Sequence, residues 1–185
     1  MEIFNGKKKI YYENDKPDPL NFYGKTKLTI EKYIQKNLEN YKIFRTSWNS
    51  DIFMGYRCVI ELTYKTILGK NAKMAYDNLL SITYVKDLCD AMFKCIFSKE
   101  KIIHIANSEF LTRYQLANKI KKYSKRKNQM KFIKCKFSEI KYAEPRGLRN
   151  ILRSNILKKY QKKKFKKINS IIIKKVHALD QKLSF

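Results

Sequence analysis

The sequence predicts an α/β fold, on three observations. Segments with helical periodicity alternate with short β-prone runs. The chain has 185 residues, 44% of them hydrophobic, which is the scale of one domain, or one domain and a tail. Turn-forming clusters, Asn-Gly and Lys-Pro-Asp-Pro within residues 5–21, Asn-Ser-Asp at 49–51 and Gly69, separate the periodic segments.

Taken in order, residues 5–21 hold Asn-Gly, Asn-Asp and Lys-Pro-Asp-Pro and read as a loop. Tyr23, Leu28, Ile30, Tyr33, Ile34 and Leu38 then predict a helix from Phe22 to about Leu38, with Pro19-Leu20-Asn21 as its cap. Residues 41–48 read as one strand. A helix follows over 56–68, stopped by Gly69, and then a short strand over Ala72–Tyr76. A third helix runs from about Val85 to Phe97, with Leu88, Ala91, Met92, Cys95 and Ile96 facing inward. Ile102–Ala106 is a buried strand, and Leu111-Thr112 opens a helix that runs to about Tyr123. Beyond residue 124 the pattern weakens to a strand over 131–136, a lysine run over 158–167 and a short helix over 170–180. A docked basic helix and a disordered tail both fit residues 158–185.

The net charge is +26 and unevenly placed: residues 1–118 carry 19 basic and 13 acidic side chains, residues 119–185 carry 23 and 3. Lys outnumbers Arg 35 to 7, and Lys, Asn, Ile, Phe, Tyr and Met make up 100 of the 185 residues, the signature of A+T-rich coding. Arg, not Lys, suits bidentate recognition of bases and phosphates. Nucleic acid is therefore not the expected partner, and a basic nucleic-acid-binding protein ranks only as an alternative. Cys58, Cys89, Cys95 and Cys135 form no CxxC pair, so no metal site or disulfide framework is expected, only reduced thiols in a cytoplasmic protein. No apolar run approaches a membrane span, and the first residues hold no signal-peptide core.

One pair carries chemistry. Tyr23 and Lys27 are four apart at a helix start, hence on one face. A phenol beside an ammonium can pass a proton to a carbonyl oxygen. The spacing recurs at Tyr160 and Lys164, so by itself it has little specificity.

The surrounding residues are more specific. Residues 11–27, ending Pro19-Leu20-Asn21-Phe22-Tyr23-Gly24-Lys25-Thr26-Lys27, are followed by Glu31 and Arg45-Thr46-Ser47-Trp48. Ser81-Ile82-Thr83-Tyr84-Val85 precedes Asp87-Leu88, and Ile103-His104-Ile105-Ala106-Asn107 precedes Thr112-Arg113-Tyr114. This order resembles the extended short-chain dehydrogenase/reductases, and most closely the dTDP-4-dehydrorhamnose reductase-like group, over about residues 1–157.

The resemblance implies an incomplete NAD(P)-binding Rossmann-type fold: late sheet strands and a substrate-binding subdomain. Residues 1–50 would be the remnant of the dinucleotide domain, 51–157 the substrate-binding portion and 158–185 a basic tail. It implies reduction of a 4-keto nucleotide sugar with NADPH or NADH. Tyr23 would be the proton donor, and Lys27 would hold the cofactor ribose and assist the phenol. Thr46 and Ser47 would face the cofactor, and Trp48 and Arg146 the sugar nucleotide, although Gly147 stands where the family has Pro after that Arg. His104 reads as a buried, hydrogen-bonded histidine, and Asp87 as support for a helix start. A non-catalytic relative is the other alternative, because the fold family includes a regulatory subunit of methionine adenosyltransferase.

One element of the pattern is missing. The glycines are Gly6, Gly24, Gly55, Gly69 and Gly147, and none forms the Gly-rich turn that cradles a dinucleotide pyrophosphate. The sequence thus reads as the C-terminal portion of a reductase, and two origins fit it. One is a truncated or split gene product that needs a separately encoded N-terminal half as its partner. The other is a decaying or repurposed reading frame, toward which the scarce glycines and the lysine-rich drift lean.

Overall fold

A computed structural model describes residues 2–51, 58–69 and 71–182. In chain order the elements are β1 (Ile10–Tyr11), α1 (Phe22–Asn37), β2 (Ile43–Thr46), β3 (Trp48–Ser50), α2 (Val59–Ile67), β4 (Asn71–Ala75), β5 (Ile82–Tyr84), α3 (Val85–Cys95), β6 (Ile102–Ile105), α4 (Arg113–Tyr123), β7 (Lys131–Cys135), β8 (Ile151–Leu152), α5 (Leu157–Tyr160) and α6 (Ile168–Lys182). Among the described residues the strands pair two by two, all in parallel: β1 with β8, β2 with β6, β3 with β5 and β4 with β7. Parallel pairs joined through helices give the α/β class that the sequence predicts.

Local chemistry explains the boundaries. Asn21 caps α1 by accepting from the Gly24 N–H at 2.8 Å. Thr112 and Gln115 form a reciprocal capping box on α4. After α2 the chain turns at Gly69, whose φ of +71° suits a residue without Cβ. The first residues of the helix read over 56–68, Tyr56 and Arg57, lie outside the described residues.

The structure corrects several expectations. The strand read over 41–48 is two strands with different partners, broken at buried Ser47, whose hydroxyl donates to the Ser81 carbonyl at 2.8 Å. That bond fixes the point where the chain leaves β6 and joins β5. Residues 5–21 are not wholly loop, because β1 pairs with β8 in a two-residue register set by long-range packing. Ile96, expected inside, is half exposed, because α3 ends at Cys95 and the following turn points it outward.

The largest core cluster joins α2, α4 and α6, through residues such as Ile60, Tyr64, Leu116, Ile120, Ile171, Ile172 and Val176. Helix α6, longer than the 170–180 expected, is thus a core element of the basic C-terminal segment. It holds Lys175 with no exposed side-chain surface, 3.3 Å from Glu61. A smaller cluster packs α3 on β6, and a third gathers Ile3, Phe4, Tyr11 and Leu152. Among the described residues no helix is long and apolar enough to cross a membrane.

Candidate functional site

The site grows from the first turn of α1. Asn21 is buried and uses its whole amide: Oδ1 accepts from Gly24, and Nδ2 donates to Glu2 Oε2 and to the Pro145 carbonyl, both at 3.0 Å. One side chain therefore joins residue 2, the helix that carries Tyr23 and the loop that carries Arg146. Gly24 allows the approach, since a Cβ there would lie 2.2 Å from the Glu2 carbonyl oxygen.

The strand side is fixed by an ion pair. Arg45 of β2 grips Glu31 of α1 through Nε, 3.1 Å from both carboxylate oxygens, and through Nη2 at 2.7 Å. Both groups are buried, so the bidentate geometry offsets their desolvation. His104 lies behind them. Its Nδ1 is 3.1 Å from the Arg153 carbonyl, which can only accept, so Nδ1 carries the proton and Nε2 accepts from Arg45 Nη1 at 3.4 Å. Burial pushes the His104 pKa below its ordinary value, against the opposing pull of Glu13. His104 is structural, as its sequence context suggests.

Beside Asn21, and lined by the residues that follow Arg45, lies a cleft of about 450 Å³. Tyr23, Thr46, Ser47, Trp48 and Arg146 all line it. Lys27 stands outside that lining, with its Nζ 5.4 Å from the centroid of the Tyr23 ring on the same helix face. Thr46 Oγ1 accepts from Asn49 Nδ2 at 3.3 Å. Glu2 and Glu144 supply the acidic rim.

A second cavity of about 250 Å³ adjoins it and shares Glu2, Trp48 and Arg146. Its floor holds Arg113, whose guanidinium sits 5.3 Å from the centroid of the Trp48 ring and donates to Thr63 Oγ1 at 3.1 Å. Burial lowers the Arg113 pKa, although the group stays charged at neutral pH. Among the described residues it has no carboxylate partner. Arg146 stacks on Tyr142 at 5.6 Å, and two guanidinium groups and three aromatic rings, those of Trp48, Phe137 and Tyr142, border the cavity. Among the described residues, Asn49 Oδ1 in the first cleft and Asn150 Oδ1 in the second are buried without a hydrogen-bond partner. Buried acceptors of this kind favour a ligand that brings hydroxyl or amide donors.

Sequence reasoning names Tyr23, Thr46, Ser47, Trp48 and Arg146 but passes over Asn21 as more than a cap, and over Arg113, Asn49 and Asn150. Arg113 sits inside the quoted Thr112-Arg113-Tyr114, where it reads only as a helix start. The signal was its charge without an acidic neighbour. Asp87 lies in the first turn of α3 and accepts from the Lys166 N–H at 2.6 Å, away from the cleft. The second Tyr–Lys pair is structural too, because Tyr160 donates to Glu100 Oε2 at 2.8 Å, which raises the Tyr160 pKa.

Comparison with known proteins gives a consistent family. The RmlD substrate binding domain matches residues 2–174. The spore coat polysaccharide biosynthesis protein SpsK of Bacillus subtilis is 33% identical over 120 residues, 64% of this chain and 42% of that protein. The dTDP-4-dehydrorhamnose reductase of Salmonella typhimurium is 55% identical over 38 residues, 20% of this chain and 13% of the other. The crystal structure of dTDP-4-dehydrorhamnose reductase from Bacillus anthracis, in complex with NADP, superposes with a TM-score of 0.77 at 22% identity. That match covers 96% of this chain and 62% of the solved one, so the chain spans less than two thirds of the proteins it resembles.

Proposed function

Because the chain belongs to the RmlD substrate binding domain family, we propose that it supplies the acid-bearing helix and the sugar-nucleotide side of a reductase. The substrate is a 4-keto nucleotide sugar such as dTDP-4-dehydro-L-rhamnose, and the reductant NADPH or NADH. What supports this reading is the convergence of Tyr23, Thr46, Ser47, Trp48 and Arg146, from distant parts of the sequence, on one cleft.

Each residue has a task that follows from its position. The Tyr23 phenol opens onto the cleft and hands its proton to the carbonyl oxygen as charge develops there. Trp48 offers a flat apolar wall for the sugar or base. Arg146 and Arg113 meet the anionic part of a nucleotide sugar, and Asn49 and Asn150 accept from its hydroxyls. Ser47 holds the crossing of the strands through its bond to Ser81, so its part in meeting the cofactor is one of placement.

The residues present fit only the reacting end of a dinucleotide. Tyr23, Thr46 and Ser47 face the space for it, with Lys27 outside for the ribose. Among the described residues, however, the glycines with positive φ are Gly6 and Gly69, neither of them opening a helix, and no glycine-rich strand–helix turn offers backbone N–H groups to a pyrophosphate. When bound, the cofactor's chemistry is hydride delivery to the carbonyl carbon; no step on this chain alone is assigned to it. A dinucleotide-binding half must complete the site. Two features suit such a partner: β2 pairs only with β6 among the described residues, and α1 exposes Phe22, Ile30 and Tyr33.

The test is reconstitution. The chain is co-expressed with a dinucleotide-binding half taken from a full-length relative, and NADPH oxidation is followed with dTDP-4-dehydro-L-rhamnose. Activity is expected only in the mixture, and Tyr23→Phe is expected to lower kcat about 10²–10⁴-fold with little change in substrate binding. Activity that survives Tyr23→Phe would assign the proton to another group.

A further inference from the structure

A second crevice shares no lining residue with the cleft and its neighbour. It has a volume of about 340 Å³ and opens beyond the carboxyl ends of two parallel strands: Ala106 and Ser108 follow β6, and Arg153 and Ser154 follow β8. Crevices at the carboxyl ends of parallel strands are where α/β folds bind ligands. Its floor is apolar, from Ala106, Leu157 and Phe165.

Its rim is cationic. Lys158, Lys162, Lys163 and Lys164 line it with Arg153, and no carboxylate lines it at all. Those four lysines are exposed, and none of them has an acidic partner among the described residues. Their neighbour Lys159 differs, since it pairs with Glu100 at 3.4 Å. The Arg153 guanidinium donates only to carbonyls, those of Asn107, Leu152 and Ser108, so its charge is fixed in place and not neutralised. Compositional drift accounts for a surplus of lysine along the chain, but here the run over 158–167 is brought against Arg153, which follows β8 and is held by three carbonyls. Like charges held this close repel one another, and a bound anion relieves that cost.

We propose that this groove binds a compact, multiply charged phosphate anion of the pyrophosphate class. Arg153 provides the fixed contact at the strand ends. Lys158, Lys162, Lys163 and Lys164 close over the outer oxygens as mobile point charges. The apolar floor keeps water from one side of the ligand and so strengthens each contact. The site is independent of the proposed reductase chemistry, because its residues and those of the Tyr23 cleft do not overlap.

The experiment titrates the full 185-residue chain with inorganic pyrophosphate by calorimetry at low and moderate salt. Saturable binding is expected, weakened about tenfold or more in the double variant Lys162→Glu/Lys164→Glu. The distant pair Lys32→Glu/Lys36→Glu on α1, which makes the same change in net charge, is expected to bind as the unaltered chain does. All four side chains are exposed, so the folds are comparable, and circular dichroism checks this. Absence of saturable binding would overturn the proposal. So would equal weakening by both double variants, which would mean that pyrophosphate reads only the overall charge.

Discussion

At the residue scale, buried polar groups decide more than the exposed lysines. Tyr64 has no exposed surface and donates to Asp180 Oδ1 at 2.6 Å, while Ser124 and the Lys125 N–H also donate to that carboxylate. Burial first, and then the Asp180 bond, push the Tyr64 pKa up to about 12 from 10.0. The neutral phenol is the form that folding prefers. The stabilisation is therefore complete below pH 10 and is lost as pH rises towards 12. Tyr64→Phe is expected to cost about 1–2 kcal/mol at neutral pH and to remove the Tyr64 share of the alkaline loss, which urea melts at several pH values will measure. None of this is legible in the sequence, where Tyr64 and Asp180 are 116 positions apart. Glu31 and Arg45 are different. Both belong to the motif pattern, but only the structure gives the reason for them: their ion pair locks the Tyr23 helix to the strand that delivers Thr46.

At the element scale, the sequence reads best where periodicity and caps agree. Helix α1 begins at the expected residue because Asn21 can cap it and Gly24 permits a close backbone neighbour. Strands β1, β3 and β8 are too short to carry a pattern; distant pairing fixes them. In the lysine-rich end the sequence marks a short helix over 170–180 but not its full length or its place in the core, because Lys175 stands among the apolar residues on the inner face of α6 and pairs with Glu61, itself bonded to Lys65 at 2.8 Å. The approach of α1 to residue 2 can be tested directly. Gly24→Ala puts a methyl where only 2.2 Å separates it from a carbonyl oxygen, so the helix start must shift. A loss of about 1–3 kcal/mol in thermal or urea unfolding is expected. An unchanged stability would mean that residue 2 moves aside freely.

At the scale of the whole molecule, distant segments of the chain converge on one cleft and the cavity beside it. The cleft gathers the Tyr23 phenol, the Trp48 indole and the Arg146 guanidinium, and the second cavity, which shares Trp48 and Arg146, adds Arg113. These residues were largely legible because motif order preserves them. The two-cavity shape was not, because it depends on the loop of Glu144–Gly147 folding back onto Asn21. The family model matches residues 2–174, and the chain covers 62% of the solved reductase. The most direct measurement is an NADPH titration of the purified chain, alone and with an added dinucleotide-binding half, followed by cofactor fluorescence. No saturable binding is expected from the chain alone, and micromolar binding from the mixture. Micromolar binding by the chain alone would contradict the account.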